Sequence, residues 1–224
     1  PIPVKQDLFN YFSGYAVLVQ KNLTISMVKK FIPSRKSSSH KGDNGRVLVV
    51  GGSYIYHGAP ILASIASLKS GTDLVYTCVP KINVSPTRTI SPNLIVIPLV
   101  DQKLTRGAVN KLVGVLPKNL DSATIGMGLA IQERNSLLQL VKSLLDRDVR
   151  LSLDASTLVP EILPLLKNKN VVVTPHAGEF KHLFGESPSN TKIQRIKLVE
   201  KYAKNNGITI LLKGPTDIIS NGKT

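Results

Sequence analysis

Short apolar runs alternate along this chain with longer amphipathic segments, and no other feature limits the possible folds as strongly. The clearest case is Val171–Val173, a β-branched run typical of a strand that is buried on both faces. Pro175 ends this run because proline has no amide to donate to a sheet. The segment from Ala177 then carries apolar residues at helical spacing. A strand that leads directly into a helix leaves free backbone amides at the carboxyl end of a sheet, where open α/β folds bind anionic ligands.

The same alternation extends over most of the chain. Further strands are predicted at residues 46–52, 73–79, 93–99, 123–126, 150–154 and 208–213, with residues 216–220 expected to pair with the last of them. Helices are predicted at residues 61–71, 106–115, 132–146 and 190–206, the last of which ends at Gly207. A short helix is predicted between Thr24, as its N-cap, and Pro33. This pattern predicts an α/β fold around a mostly parallel sheet.

Composition excludes several classes of protein. Hydrophobic residues make up 42% of the 224 residues, which is enough for a buried core in one large domain or two small ones. The sequence contains no run of about 18 apolar residues, so a membrane span is excluded. The only cysteine, Cys78, excludes an internal disulfide and a cysteine-based zinc site. The first residues lack the basic-then-apolar pattern of a signal peptide, and a cytoplasmic location is expected.

The chain is strongly basic, with 29 Lys and Arg residues against 14 Asp and Glu residues. Such an excess can serve nucleic acid, an anionic membrane surface or ligands with several phosphates. The basic residues are scattered, and aromatic residues, at 5% of the chain, do not interleave with them as stacking platforms would. Nucleic-acid binding is therefore not expected, and much of the excess charge is expected on solvated surface.

Glycines recur just after the predicted strands, at Gly51, Gly126, Gly178 and Gly214. Each of them can be an ordinary turn residue, but the carboxyl ends of parallel strands lie on one rim of a sheet. No Walker or Rossmann fingerprint occurs, so a nucleotide site at this rim would be of another kind.

His176 and Glu179 lie at this rim, where one could carry a proton and the other a charge. The alternative is that His176 is a turn residue and Glu179 only a favourable charge in the first helical turn.

A series of motifs then makes the interpretation specific. In chain order they are HKGDNGRVLVVGGS (40–53), GAPILASIASLKSGTDLV (58–75), GMGL (126–129), LDAS (153–156), TPHAGEF (174–180) and LLKGPTDIISNGKT (211–224). This series resembles the ADP/ATP-dependent NAD(P)H-hydrate dehydratase family, a ribokinase-like group also labelled carbohydrate kinases. The resemblance covers nearly everything after about residue 30. It implies a three-layer α/β/α fold with a mostly parallel central sheet.

The resemblance also implies a domain arrangement. Residues 31–224 would form the ribokinase-like dehydratase domain, and residues 1–30 an N-terminal extension similar to the tail of an upstream epimerase domain. The family's glycine-rich G-G-T-G-D motif, whose aspartate acts as general base, is expected beyond Thr224, together with further C-terminal elements of the fold. The catalytic residue is therefore not identified, and the 224 residues alone are expected to bind better than they turn over.

The implied activity is repair of a nicotinamide cofactor, which makes the protein a carbon–oxygen lyase. ADP or ATP, as co-substrate with Mg2+, would phosphorylate the hydroxyl of hydrated NADH or NADPH, and loss of phosphate would restore NADH or NADPH. A homo-oligomer and a fused or associated epimerase domain are further expectations.

The resemblance assigns site residues by motif. The hydrate-binding positions are similar to Ala59, Gly126, Gly128 and His176, and the nucleotide-binding positions to Lys213, Gly214, Pro215, Thr216 and Asp217. Without the resemblance, Lys213 reads as a strand-end lysine that reaches solvent. Asp154 and Glu179 are possible supporting acids, and no metal ligand is assigned. The family pattern around Asp154 is more often D-A-D, so Ser156 is a departure that weakens a role for this loop.

Two other functions are compatible with these residues. The first is a kinase of the same fold, which phosphorylates a sugar or a vitamin precursor and releases the phosphorylated product. The second is a non-enzymatic basic binding module.

Overall fold

The computed structural model describes residues 24–32 and 34–223. The predictions for residues 1–23, for Pro33 and for Thr224, including most of the N-terminal extension, lie outside the described residues. The chain divides into two units, one ending at Ser34 and one spanning Arg35–Lys223, and each is described by itself. In the first unit, helix α1 (Ile25–Phe31) begins after Thr24, whose hydroxyl accepts a hydrogen bond from the Met27 amide. The predicted N-cap is confirmed.

The second unit is built on an eight-stranded sheet. Its strands are β1 (Arg46–Val50), β2 (Leu74–Pro80), β3 (Leu94–Leu99), β4 (Ser122–Ile125), β5 (Arg150–Leu153), β6 (Val171–Val173), β7 (Thr209–Leu212) and β8 (Ile218–Ser220). They lie in the order β3-β2-β1-β4-β5-β6-β7-β8. All neighbouring pairs are parallel except β7 and β8, which are antiparallel. The prediction of a mostly parallel sheet is confirmed.

Helices cover both faces of this sheet. They are α2 (Gly58–Lys69), α3 (Lys81–Ile90), α4 (Arg106–Val115), α5 (Arg134–Leu145), α6 (Leu163–Leu166), α7 (Ala177–Phe184) and α8 (Lys192–Asn206). The predicted helix that ends at Gly207 is confirmed, since Gly207 has the left-handed conformation of a C-terminal stop. Sequence reasoning missed α3, because the residues that this helix buries are polar, Asn83 and Thr87. It also missed α6, which has only four residues.

The core confirms the three-layer α/β/α architecture. On one face, strand residues such as Leu48, Leu153 and Ile210 form a large apolar cluster with residues of α4, α5, α7 and α8. On the other face, Val49 and Val75 form a smaller cluster with residues of α2. The division follows from the pleat, because successive strand residues point to opposite faces of the sheet.

The expectation that β6 is buried on both faces is wrong at one residue. Val171 and Val173 are buried, whereas Val172 is only half-buried. Val172 faces a cleft of about 450 Å³ along the face that bears α2, where Thr124 and Ser152 also line the cleft. At β6, one face of the sheet is therefore apolar and the other is partly polar. In the part of the chain that the structure describes, no helix is long and apolar enough to cross a bilayer.

Candidate active site

The carboxyl ends of the parallel strands meet at one rim of the sheet, and the predicted site residues lie there. The chain builds outward from β1 to β3 and then returns to place β4 on the other side of β1. Open α/β sheets bind ligands at the crevice formed where the strand order reverses in this way. The loops after β1 and β4 flank this crevice, and the loops after β5, β6 and β7 continue the rim.

Glycines allow the loops after β1, β4 and β5 to touch. The Gly52 amide donates to the Met127 carbonyl at 2.9 Å. A side chain at Gly51 would begin 2.6 Å from the Met127 oxygen. Gly126 has a φ of +122°, and a side chain there would begin 1.9 Å from the Asp154 carbonyl oxygen. These glycines are therefore required by close backbone contact at the rim.

Two further residues predicted to bind the hydrate, Ala59 and Gly128, flank the same loops. Ala59 lies exposed in the first turn of α2, whose N-terminus has no side-chain cap. Its region therefore presents free amides, which favour a negatively charged ligand. Gly128 has a φ of +65° and packs against Tyr56 in the loop after β1.

His176 is the N-cap of α7 and forms a capping box with Glu179. Its Nδ1 accepts hydrogen bonds from the amides of Gly178, at 3.0 Å, and Glu179, at 3.2 Å. Glu179 Oε2 accepts from the His176 amide at 2.8 Å. Because Nδ1 is an acceptor, the ring proton is on Nε2, which lies 3.4 Å from Glu179 Oε1. The structural alternative of a turn residue followed by a first-turn acid is thus realised, while the 59% exposed His176 ring still presents an edge to the rim.

Lys213 joins the ends of three strands. Its Nζ donates to Asp154 Oδ1 at 2.7 Å and lies 3.6 Å from Glu179 Oε2. Thr174 donates its hydroxyl to the same Asp154 oxygen at 2.7 Å. Lys213 is therefore an ion-paired residue of the rim rather than a strand-end lysine that only reaches solvent. Two carboxylates face one ammonium, so this cluster has a surplus negative charge when all three groups are ionised.

The predicted nucleotide segment forms an exposed turn after Lys213. The Lys213 amide donates to the Pro175 carbonyl at 2.8 Å, which fixes the end of β7 beside the loop after β6. The Gly214 amide donates to Asp217 Oδ1 at 3.0 Å. All four turn residues are exposed, namely Gly214, Pro215, Thr216 and Asp217.

A cleft of about 620 Å³ opens beside this rim. Ser156, His176 and Glu179 line it, together with Arg134 and His182 from helices α5 and α7. Ala59, Gly126, Gly128 and Lys213 are not among its described lining residues. The structure thus brings Gly126, Asp154, Glu179 and Lys213 into one network, with His176 between this network and the cleft.

Sequence reasoning missed two contributions to this network. Thr174 orients Asp154, although the signal for it was present in the TPHAGEF motif. Ser156, treated as a departure from the family pattern, donates its hydroxyl to the Gly126 carbonyl at 3.0 Å. This bond ties the loop after β5 to the loop after β4, so the departure does not leave the loop without contacts.

Comparison with known proteins identifies the family. A family model described as NAD(P)H-hydrate dehydratase matches residues 47–224. The chain belongs to the NAD(P)H-hydrate dehydratase family. It is 79% identical over 207 residues to the ADP-dependent (S)-NAD(P)H-hydrate dehydratase of Nitrosopumilus maritimus, covering 92% of this chain and 72% of that protein. It is 66% identical over 195 residues to the enzyme of the same name from Cenarchaeum symbiosum, covering 87% of this chain and 68% of that protein.

A solved structure of the NAD(P)H-hydrate dehydratase family has the same fold. The ADP/ATP-dependent NAD(P)H-hydrate dehydratase from Bacillus subtilis, co-crystallized with ATP/Mg2+, matches with a TM-score of 0.74 and 25% identity. The match covers 89% of this chain and 69% of that chain. A ribokinase-like superfamily protein from Enterococcus faecalis matches with a TM-score of 0.68 and 25% identity, covering 88% of this chain and 67% of that chain. The predicted family and the predicted ribokinase-like fold are confirmed.

For an NAD(P)H-hydrate dehydratase, the carboxylates of the rim have the chemistry that Mg2+ requires. Asp154 and Glu179 both approach the Lys213 ammonium, so two carboxylates lie near one cation of the rim. Mg2+ prefers oxygen ligands and is commonly held by one or two carboxylates together with substrate phosphates. Among the described residues, no group of three or more His, Cys, Asp or Glu side chains could hold a metal ion by itself. The rim therefore fits an ion shared with a nucleotide better than a closed protein metal site.

Proposed function

We propose that this protein restores hydrated NADH and NADPH to NADH and NADPH in a dehydration that consumes ADP or ATP. The observation that carries this proposal is the 79% identity to an enzyme named as an ADP-dependent (S)-NAD(P)H-hydrate dehydratase. The 66% identical relative has the same name, whereas ATP-dependent relatives are 33% to 35% identical. ADP is therefore the preferred co-substrate in this proposal.

The chemistry replaces a poor leaving group by a good one. The terminal phosphoryl group of ADP moves to the hydroxyl of the hydrated ring, the hydroxyl proton is released, and AMP remains. The bond from ring carbon to phosphate oxygen then breaks with its electron pair, and the neighbouring ring carbon loses a proton. The ring double bond forms again, and phosphate departs. An enzyme for this reaction needs one site for a nucleotide and one for a dinucleotide at the same rim.

In this proposal, one group of the described residues binds the hydrated dinucleotide and another binds the adenine nucleotide. Ala59, Gly126, Gly128 and His176 bind the hydrate, and for the first three this is supported by the contact between the loops after β1 and β4 at the crevice. The Lys213–Asp217 turn binds the adenine nucleotide, and the Lys213 ammonium faces its phosphates. Asp154 orients Lys213 through their 2.7 Å hydrogen bond. No described residue is assigned as the general base.

Asp154 and Glu179 would hold Mg2+ together with the nucleotide. When bound, Mg2+ neutralises phosphate charge and aligns the phosphoryl group for transfer. The surplus negative charge of the Asp154–Glu179–Lys213 cluster supports this assignment, since without a further cation it would oppose the approach of phosphates.

The wider setting is also proposed. Residues 31–224 form the dehydratase domain, and the protein acts in the cytoplasm as a homo-oligomer. Association with an epimerase domain is supported by the Pyrobaculum aerophilum relative, which is 37% identical and is named a bifunctional NAD(P)H-hydrate repair enzyme. Light scattering of the purified protein, which gives its molar mass in solution, tests the oligomer.

An absorbance assay tests the activity. The protein is incubated with Mg2+, ADP and a hydrated NADH preparation, and recovery of the reduced-nicotinamide absorbance band is followed with release of AMP and phosphate. Recovery that requires ADP supports the dehydratase. A stable phosphorylated product without recovery of absorbance identifies a kinase of the same fold instead. Parallel reactions with ATP, and with hydrated NADPH, give the preferred nucleotide and cofactor.

A further inference from the structure

Arg195 is half-buried, and part of its guanidinium group has no partner in the described part of the chain. It lies at the end of the first turn of α8, and its Nε and Nη2 atoms are buried without a hydrogen-bond partner among the described residues. A guanidinium stays protonated at any physiological pH. Native proteins leave few buried donors unpaired, and each such group calls for a missing partner. The partner that Arg195 lacks is an anion or an oxygen acceptor.

The guanidinium lies directly against the predicted nucleotide segment. A side chain added at Gly214 would begin 2.7 Å from Arg195 Nη2 and 3.3 Å from Nη1. Gly214 does not have a positive φ, so the close approach of Arg195 is what disfavours a larger residue there. The exposed Gly214–Asp217 turn therefore covers the unpaired cation.

The Lys213 ammonium, just before this turn, has carboxylate partners, and this distinguishes it from the Arg195 guanidinium. The Lys213 ammonium faces both Asp154 and Glu179. No ion pair of Arg195 with a described carboxylate is formed within 4.0 Å. The uncompensated positive charge at the turn thus belongs to Arg195, and a ligand with phosphates would be attracted to it.

We infer that Arg195 is a phosphate-binding residue of the adenine-nucleotide site, which becomes available when the Gly214–Asp217 turn shifts. This inference rests on the proposed nucleotide site. Phosphate oxygens suit a guanidinium, whose planar nitrogens can donate two parallel hydrogen bonds. The covering turn consists of exposed residues and is closed by the bond from the Gly214 amide to Asp217, so its movement costs little core packing. The cost of leaving the Nε and Nη2 donors buried and unpaired favours the shift once an anion is present.

Binding of a graded set of ligands tests this role. ADP, AMP and adenosine are titrated against the wild-type protein and against Arg195→Met, Arg195→Lys and the control Lys197→Ala, by calorimetry with Mg2+ present. Lys197 is an exposed lysine on the same helix. Arg195→Met is expected to weaken ADP binding about 10- to 100-fold, as the loss of a hydrogen bond to a charged group does, and to leave adenosine binding unchanged. The ADP affinity of Arg195→Lys is expected to lie between those of Arg195→Met and the wild type, and the ADP affinity of Lys197→Ala is expected to match the wild type.

Thermal melting separates this role from a structural one. Removing the buried, unpaired Nε and Nη2 donors is expected to leave the melting temperature of Arg195→Met equal to or above that of the wild type. A marked fall in melting temperature, equal losses for ADP and adenosine, or unchanged ADP affinity would each overturn the inference while the wild type still binds ADP. If the wild-type protein binds no ADP and shows no ADP-dependent turnover, the proposed function itself fails.

Discussion

At the scale of single residues, His176 combines an observed role as a helix cap with a proposed role in substrate binding. The Nδ1 atom of His176 accepts hydrogen bonds from two helix amides. These bonds fix the ring and leave its Nε2 edge beside Glu179. A histidine held in this way is a poor shuttle through Nδ1, because protonation there would break both capping bonds. The proposed contribution of His176 to substrate binding would therefore come from the exposed Nε2 edge.

Two substitutions at His176 separate these roles. His176→Ala removes the cap and is expected to lower the free energy of unfolding by about 0.5–2 kcal/mol. His176→Asn keeps a good capping side chain and is expected to retain most of this stability. Both variants are expected to bind hydrated NADH more weakly, as measured by titration beside thermal melting. If His176→Asn restores binding as well as stability, the residue is a cap and nothing more.

Lys213 permits an equally direct experiment. Lys213→Met keeps the aliphatic stem, removes the ammonium, and leaves Asp154 and Glu179 facing each other without a counter-charge. ADP affinity is expected to fall at least about 10-fold, because a charge-assisted hydrogen bond is lost and the remaining carboxylates repel phosphate. Lys181→Ala, at an exposed lysine of α7, is the control. Unaltered ADP affinity in Lys213→Met would remove the nucleotide assignment from residues 213–217.

At the scale of elements, the buried Asp73 side chain fixes the loop before β1 to the start of β2. Its Oδ2 accepts from the amides of Gly42, at 2.9 Å, and Asn44, at 3.0 Å, and from the Asn44 side chain, while Oδ1 pairs with Arg35. The hydrogen bond from the Asn44 amide, followed by the Asn44 side chain, the Gly42 amide and the Arg35 charge, lowers the pKa of Asp73, and desolvation only partly opposes this. The loop therefore depends on an ionised carboxylate.

This arrangement predicts a pH dependence of stability. A carboxyl group with a lowered pKa stabilises the folded state fully above its unfolded pKa, near 4, and loses this contribution as pH falls through the folded value. The free energy of unfolding is therefore expected to decline below about pH 4, and Asp73→Asn is expected to be less stable at pH 7 and to decline less steeply. Melting curves between pH 2 and about pH 7, with the exposed Asp146→Asn as control, measure this. Parallel declines in Asp73→Asn and wild type would contradict it.

Helices and strands were predictable from the sequence where their buried residues recur periodically. For the candidate site, single residues were predictable but their contacts with one another were not. The bounds of α4 (Arg106–Val115) and β6 follow the apolar pattern, whereas α3 buries Asn83 and Thr87 and gives no such pattern. The motifs located Asp154 and Lys213 separately, but these residues are 59 positions apart in the chain. Their ion pair is a product of strand order, which brings β5, β6 and β7 side by side. Arg195 was missed because its relevance depends on contact with Gly214.

At the scale of the whole molecule, the formal net charge of +15 contrasts with the surplus of carboxylates in the Asp154–Glu179–Lys213 cluster. The net charge and the cluster act on a ligand at different distances. A net positive charge attracts anionic ligands from solution over about a Debye length, whereas in the proposed site the local cluster would determine how phosphates are held. A strongly basic protein with two carboxylates at this point of the rim would favour a nucleotide–Mg2+ complex over a nucleotide without its cation.

This contrast also separates the enzyme from a non-specific basic binding module. The association rate of ADP, measured by stopped-flow, is expected to fall as salt is raised from about 0.02 M to about 0.5 M, because long-range attraction is screened, while the rate for uncharged adenosine is expected to stay constant. Any binding of a nucleic-acid oligomer is expected to disappear near about 0.15 M salt, since it would rest on scattered lysines and arginines that release counterions. The dissociation rate of ADP is expected to change less than its association rate, because the contacts at the rim are short-range. Nucleic-acid affinity that persists at physiological salt, together with ADP association that is insensitive to salt, would favour the binding module over the enzyme.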